Sequence, residues 1–356
     1  MKLESLAYSC KLNHTWTIAS GAKSGGGADV VLTTLIRLSD GGTIGLGEAP
    51  SSTRYKESPD TVQAFVRKVD AGRLSFDDIP GSMEYLEKVA PGNYSAKCGI
   101  NVALVDGAAR KAGKAVCDFL GLGFSEKKHV SSFTIGIDTP SIIGKKVVEA
   151  ADFPILKLKI GAPGECENLA ALRAVAPKTT VRVDANEGWE TKEEAMRNLE
   201  WLAKDSHIEF VEQPMAAGTP IEDLKWLKKH SPLPLFGDES YHQAKDAAHC
   251  AECYHGVNVK LLKTGGISAA YDALKAARKA GLKTMIGCMI ETSVLISAAA
   301  HLAELTDHLD IDGSLLTTND PYSGATVEKG AVSFASATEK TGLRVKAKAG
   351  DPFAAA

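Results

Sequence analysis

From His129 onward, short apolar runs alternate with amphipathic ones. VSSFTIGI, ILKLKIG, TTVRVDAN, IEFVEQP, LPLFGDES, GVNVKLLK, LKTMIGCMIE and HLDIDG read as strands, with amphipathic, helix-like segments between them. One polar residue can be taken near the end of each run: Thr134, Lys159, Asp184, Glu212, Asp238, Lys260, Glu291 and Asp310. The gaps between them are 25, 25, 28, 26, 22, 31 and 19 residues. That spacing is one strand–loop–helix–loop unit, and eight in a row predict a (β/α)8 barrel. The last unit is short, so its helix is expected to be incomplete or irregular.

The first 125 residues follow another pattern. VVLTTLIRL, the Gly41-Gly42 turn and TIGLGEAP predict strands, with a mobile Gly-rich loop before them from Ser20 to Asp29. Residues 59–123 read as helices, most clearly where Ile100, Ala103, Leu104 and Ala108 recur at helical spacing. The predicted organisation is α/β: an α+β capping domain over 1–125, a TIM-type barrel over 126–321, and a C-terminal return to the cap over 322–356. That return includes a hairpin in TVEKGAVSF.

Composition narrows the function. The chain has 356 residues, 44% hydrophobic and 24% charged, with 41 Lys plus Arg against 44 Asp plus Glu. A net charge of −3 lacks the basic excess of a nucleic-acid binder. The most apolar stretch, Thr284 to Ala303, is broken by Glu291 and carries His301, so no membrane span is expected. The N-terminus has no apolar signal core, which predicts a cytoplasmic protein. Seven cysteines, an odd number, fit reduced thiols. Cys250 and Cys253 form a lone CxxC without the further matched ligands a zinc site needs, and read as a helix end.

In a parallel barrel, polar residues at the C-terminal strand ends converge on one mouth. Asp184, Glu212 and Asp238 would stand there on consecutive strands. Like charges so placed repel unless a cation relieves them. Oxygen donors without His or Cys suit Mg2+ better than zinc. Lys157 and Lys159, two apart on one strand, point to the same face, and Lys260 lies roughly across the barrel. A lysine desolvated near a metal loses proton affinity and can serve as a base, and two on opposite sides of one substrate suit racemisation or epimerisation.

The combination of KLK at 157–159, VDAN at 183–186, VEQP at 211–214, GDES at 237–240 and NVKLLKTGG at 258–266 resembles the enolase superfamily, in its muconate-lactonizing-enzyme subgroup. The resemblance implies one Mg2+ per subunit on Asp184, Glu212 and Asp238. It implies Lys159 and Lys260 as the acid/base pair and Lys157 as an electrostatic aid, with Lys263 the competing choice on its strand. The Lys base and Mg2+-stabilised ene-diolate of this superfamily are a known pattern. LDIDG at 309–313 resembles the DxD pair with which dipeptide epimerases of the family hold a dipeptide's α-ammonium, here Asp310 and Asp312. By the same resemblance Thr134, Met289, Glu291, Thr292 and Ser293 line the substrate.

The implied reaction is epimerisation of a dipeptide such as Ala-Glu or another Ala-Xaa at its C-terminal residue, in cell-wall peptide metabolism. A racemase of N-acylated amino acids and a cycloisomerase of the o-succinylbenzoate-synthase type stay open. Outside the family, a Schiff-base aldolase leaves the three aligned acids unexplained, and a non-catalytic dipeptide sensor would be indifferent to chelator. Two departures stand out. The N-terminal loop TIASGAKSGGGAD offers only Lys23 where family members acting on Ala-Glu often carry Arg, a stronger carboxylate partner, and KTGLRV replaces the usual Pro-Gly-Leu-Gly ending. No nucleic acid or membrane partner is expected, and a homo-oligomer is left open.

Overall fold

The computed structural model describes residues 1–19 and 26–355. Strands β1 (Lys2–Trp16), β2 (Ala28–Asp40) and β3 (Thr43–Pro50) form an antiparallel sheet in that order. The helix Tyr94–Lys111 lies directly on β3. It can do so because Gly45 and Gly47 face it: a Cβ on either would stand 2.0 Å from a helix carbonyl, that of Ala103 or Gly99. Leu38, Ile100 and Leu104 seal this layer with the helices Pro59–Val66 and Ile79–Val89.

Eight parallel strands follow in unbroken order: β4 (Phe133–Ile135), β5 (Ile155–Lys159), β6 (Thr180–Asp184), β7 (Ile208–Glu212), β8 (Leu235–Gly237), β9 (Gly256–Lys260), β10 (Lys283–Gly287) and β11 (His308–Asp310). A parallel bridge between Ser131 and Leu309, with Ser132 N donating to Leu309 O at 3.1 Å, joins the last strand to the first. The fold is therefore a (β/α)8-type barrel beside an α+β unit. Leu156, Leu158, Val181, Val183, Val257 and Val259 are buried in the main core. Inside, the lower barrel is filled by Phe210 stacked on Phe236 at 4.1 Å, by Met285, and by Arg182, which donates to Leu309 O.

After β11 a 3-10 turn, Gly313–Leu316, stands where a full helix would. After the short strand Tyr322–Ser323, a hairpin of strands Thr326–Glu328 and Ala331–Ser333 comes next. Beyond it, Leu343 N donates to buried Asp106 at 2.7 Å, and Asp351 accepts from Arg37 on β2. Among the described residues no helix is long and apolar enough to cross a membrane.

Candidate active site

Strand register brings the strand-end residues to one level. Lys159 pairs with Asp184, Asp184 with Glu212, and Gly287 with both Lys260 and Asp310. Three of the carboxylates, Asp184, Glu212 and Asp238, are wholly buried, and each offers a ligand atom within 4.8 Å of the others. Among the described residues this is the one group of three or more such side chains placed to hold a metal. Cys250 and Cys253, both buried on the helix Ala247–Cys253, belong to no such group.

Four lysines surround the acids. Lys157 Nζ lies 3.0 Å from Asp184, 2.7 Å from Glu212 and 2.7 Å from Asp310. Lys159 Nζ donates to Asp184 at 2.7 Å and Lys260 Nζ to Asp238 at 2.8 Å. Lys263 Nζ bonds Asp238 as well, through both its carboxylate and its main-chain carbonyl. Lys159 and Lys260 sit on β5 and β9, four strands apart in a ring of eight, and so on opposite sides of the triad.

The charges act on one another strongly. Burial pushes Asp184 up, but Lys157 and Lys159 outweigh it and hold the carboxyl at about 2. Glu212 is pushed up to about 7 by burial and by the charge of Asp184. Lys157 and Lys260 depart from the lowered proton affinity expected of a desolvated lysine. Burial drives Lys260 down, but Asp238 overrides it and holds the ammonium well above its ordinary range. Lys157 behaves alike, raised by Asp184, Asp310 and Glu212 against its burial. The carboxylates dominate because they stand within ion-pair distance of both ammonium groups.

Asp310 and Asp312 stand beside the triad, both nearly closed to solvent. Asp310 also accepts from Ser132 Oγ at 2.7 Å, and Asp312 from Thr134 N at 2.6 Å. Glu291 is buried and accepts from Met289 N at 2.9 Å. The hydroxyls of Thr292 and Ser293 are engaged within the protein: Thr292 donates to Glu48 of β3 at 2.5 Å and Ser293 to Asp320 at 2.5 Å. Lys23 lies outside the described residues. Sequence reasoning missed Glu48 and gave no role to Asn258, whose Nδ2 donates to Glu212 at 2.8 Å. It weighed Lys263 only as a rival to Lys260.

Residues 144–343 match the family described as enolase C-terminal domain-like, and residues 17–121 match the mandelate racemase / muconate lactonizing enzyme N-terminal domain. The L-Ala-D/L-amino acid epimerase of Pedosphaera parvula (strain Ellin514) is 64% identical over 339 residues, which are 95% of this chain and 97% of that protein. Among solved structures, a dipeptide epimerase from Cytophaga hutchinsonii complexed with Mg and the dipeptide D-Ala-L-Val has a TM-score of 0.87 at 27% identity, covering 98% of this chain and 95% of that one. A dipeptide epimerase from Enterococcus faecalis V583 complexed with Mg and L-Leu-L-Tyr has a TM-score of 0.85 at 28% identity, covering 97% of this chain and 98% of that one.

Proposed function

Since the chain belongs to the enolase superfamily, within its mandelate racemase / muconate lactonizing enzyme family, we propose that this isomerase is a Mg2+-dependent dipeptide epimerase. It inverts the α-carbon of the C-terminal residue by two-base 1,1-proton transfer, with an Ala-Xaa dipeptide, Ala-Glu included, as substrate. The names of the relatives support the substrate class. The observation that carries the mechanism is the placement of Lys159 and Lys260 on opposite sides of one buried carboxylate triad.

The triad fits a hard divalent cation: its donors are all carboxylate oxygens, they are gathered within 4.8 Å, and burial together with the charge of Asp184 pushes Glu212 up to about 7. Asp184, Glu212 and Asp238 would hold the ion, one per subunit. When bound it supplies Lewis-acid stabilisation of the negative charge that develops on a substrate carboxylate as the α-proton leaves.

The chain's own residues do the rest. Lys157 adds fixed positive charge where the ene-diolate oxygens form. Of Lys159 and Lys260, one takes the α-proton as a neutral amine while the other, an ammonium, delivers a proton to the opposite face. Asp310 and Asp312 hold the peptide's α-ammonium, with Thr134 fixing Asp312. Met289 and Glu291 border the substrate from the turn after β10, held by Thr292 and Ser293. A dipeptide library incubated in deuterated water and read by mass spectrometry tests this reading. Ala-Xaa dipeptides should gain one deuterium at the C-terminal α-carbon. Exchange confined to N-acylated amino acids would overturn it.

A further inference from the structure

Three residues other than glycine have left-handed backbone angles within three positions after the first two triad carboxylates: Asn186 (φ 44°), Glu187 (φ 62°) and Gln213 (φ 36°). Such angles are costly for residues other than glycine and persist only where surrounding contacts enforce them. Gln213 is wholly buried, and both ends of its side-chain amide are hydrogen-bonded within the protein. Its Oε1 accepts from Asp238 N at 2.8 Å and from Ser240 N at 3.2 Å. Its Nε2 donates to Met215 O at 2.8 Å, Ser240 Oγ at 2.9 Å and Tyr254 OH at 3.2 Å. On the main chain, Gln213 N donates to Phe236 O at 2.8 Å, and Gln213 O accepts from Glu187 N at 2.9 Å.

These bonds join the segments that follow all three carboxylates. Gln213 adjoins Glu212, reaches Glu187 three residues past Asp184, and grips the amide of Asp238 itself. An amide is suited to this because it accepts on one side and donates on the other without adding charge beside a buried acid cluster. We infer that Gln213 is the positioning residue of the cation site: it fixes the spacing between the three carboxylates and touches neither ion nor substrate. The inference rests on the metal-dependent reading above, and its test separates the two.

The probe is Mn2+ alone, titrated into the purified full-length protein and followed by electron paramagnetic resonance, with far-UV circular dichroism and a thermal melt on each variant. Residues that orient metal ligands typically cost about 10- to 100-fold in affinity when replaced. Gln213→Met keeps the length and loses every side-chain hydrogen bond, so its Mn2+ Kd should rise at least about tenfold. Ser240→Ala and Tyr254→Phe each remove one acceptor from the Gln213 amide and should weaken Mn2+ by a smaller factor, about threefold, with the fold intact. They carry the test if Gln213→Met does not fold. A Kd within about twofold of wild type in every folded variant, even with a lowered melting temperature, would overturn the inference. Failure of the wild type itself to bind Mn2+ would instead overturn the metal-dependent reading.

Discussion

Asp310 and Asp312 are two residues apart, yet their charges are met differently, which separates their tasks. Asp310 already has an ammonium partner, Lys157 Nζ at 2.7 Å, together with the Ser132 hydroxyl. Asp312 is in no ion pair among the described residues and accepts from Thr134 N, while burial and the charge of Asp310 push it up to about 7. A dipeptide's ammonium therefore gains most from Asp312. A hydrogen bond between charged groups contributes roughly 1.5–3 kcal/mol, so Asp312→Asn should lower kcat/KM for a free dipeptide roughly ten- to a hundredfold. An N-acetylated dipeptide, with no ammonium, should show no such loss. The pH dependence has a defined sign. Below about 7 the free enzyme holds Asp312 protonated and neutral, so wild-type kcat/KM should fall as pH drops through that value. Asn is neutral at every pH, and the variant's acidic limb should flatten. Rates of α-deuterium incorporation into both substrates, measured between about pH 5.5 and about pH 8.5, decide the matter. Equal losses for the free and acetylated peptides would refute the assignment.

Three other outcomes follow from the geometry. EDTA should abolish activity and Mg2+ restore it, and Glu212→Gln, which keeps the shape of a wholly buried side chain, should weaken metal binding far more than folding as read by calorimetric titration and circular dichroism. Lys159→Ala and Lys260→Ala should each abolish epimerisation yet retain solvent exchange from one epimer only, opposite epimers in the two variants; exchange from the same epimer in both would sink the two-base mechanism. Glu48 is wholly buried and moved from 4.5 to about 7, chiefly by burial. The folded protein keeps that proton while the unfolded chain releases it, so stability falls by roughly 3 kcal/mol as pH rises from 4.5 to 7 and is level beyond. Gln resembles the protonated acid, so urea denaturation should find Glu48→Gln near wild type in acid and the more stable of the two at about pH 8. A wild-type-to-variant difference independent of pH would contradict this.

The barrel and its acids were legible because a parallel barrel converts a linear repeat into a ring. Residues about one unit apart in sequence must meet at the strand ends, whatever the loops do. Period-2 alternation likewise put Lys157 and Lys159 on one face. The contacts that close the site left no such trace. Glu48 reads as one polar residue in a strand, while its partner Thr292 is 244 positions away. The hydroxyls of Thr292 and Ser293 are engaged by Glu48 and Asp320, contacts that no local pattern announces. Spacing alone could not fix the separate roles of Lys260 and Lys263, because both reach Asp238, one from the strand end and one from the turn behind it. Gln213 did carry a signal: a polar residue directly after a buried carboxylate has no solvent to face and must bond within the protein.

Lysine proton affinity was the least legible property, since it depends on a balance that no single residue sets. Lys157 ties two groups of acids together, standing within 3.0 Å of Asp184, Glu212 and Asp310 at once. The triad and Asp310 thus share one counterion. A divalent cation on the triad would satisfy Asp184 and Glu212, leaving Lys157 to Asp310 and removing part of the negative field that keeps Lys260 protonated. An incoming peptide ammonium then finds Asp312 as its unmatched acid. Linkage is reciprocal, so whatever metal occupancy does to the affinity for the peptide's ammonium, the peptide must do to the affinity for metal. The site is therefore not a fixed template with two independent compartments. It is one buried charge network that Lys157 spans, and on the metal-dependent reading proposed above a cation on the triad would lower the proton affinity of Lys260 toward what a base needs.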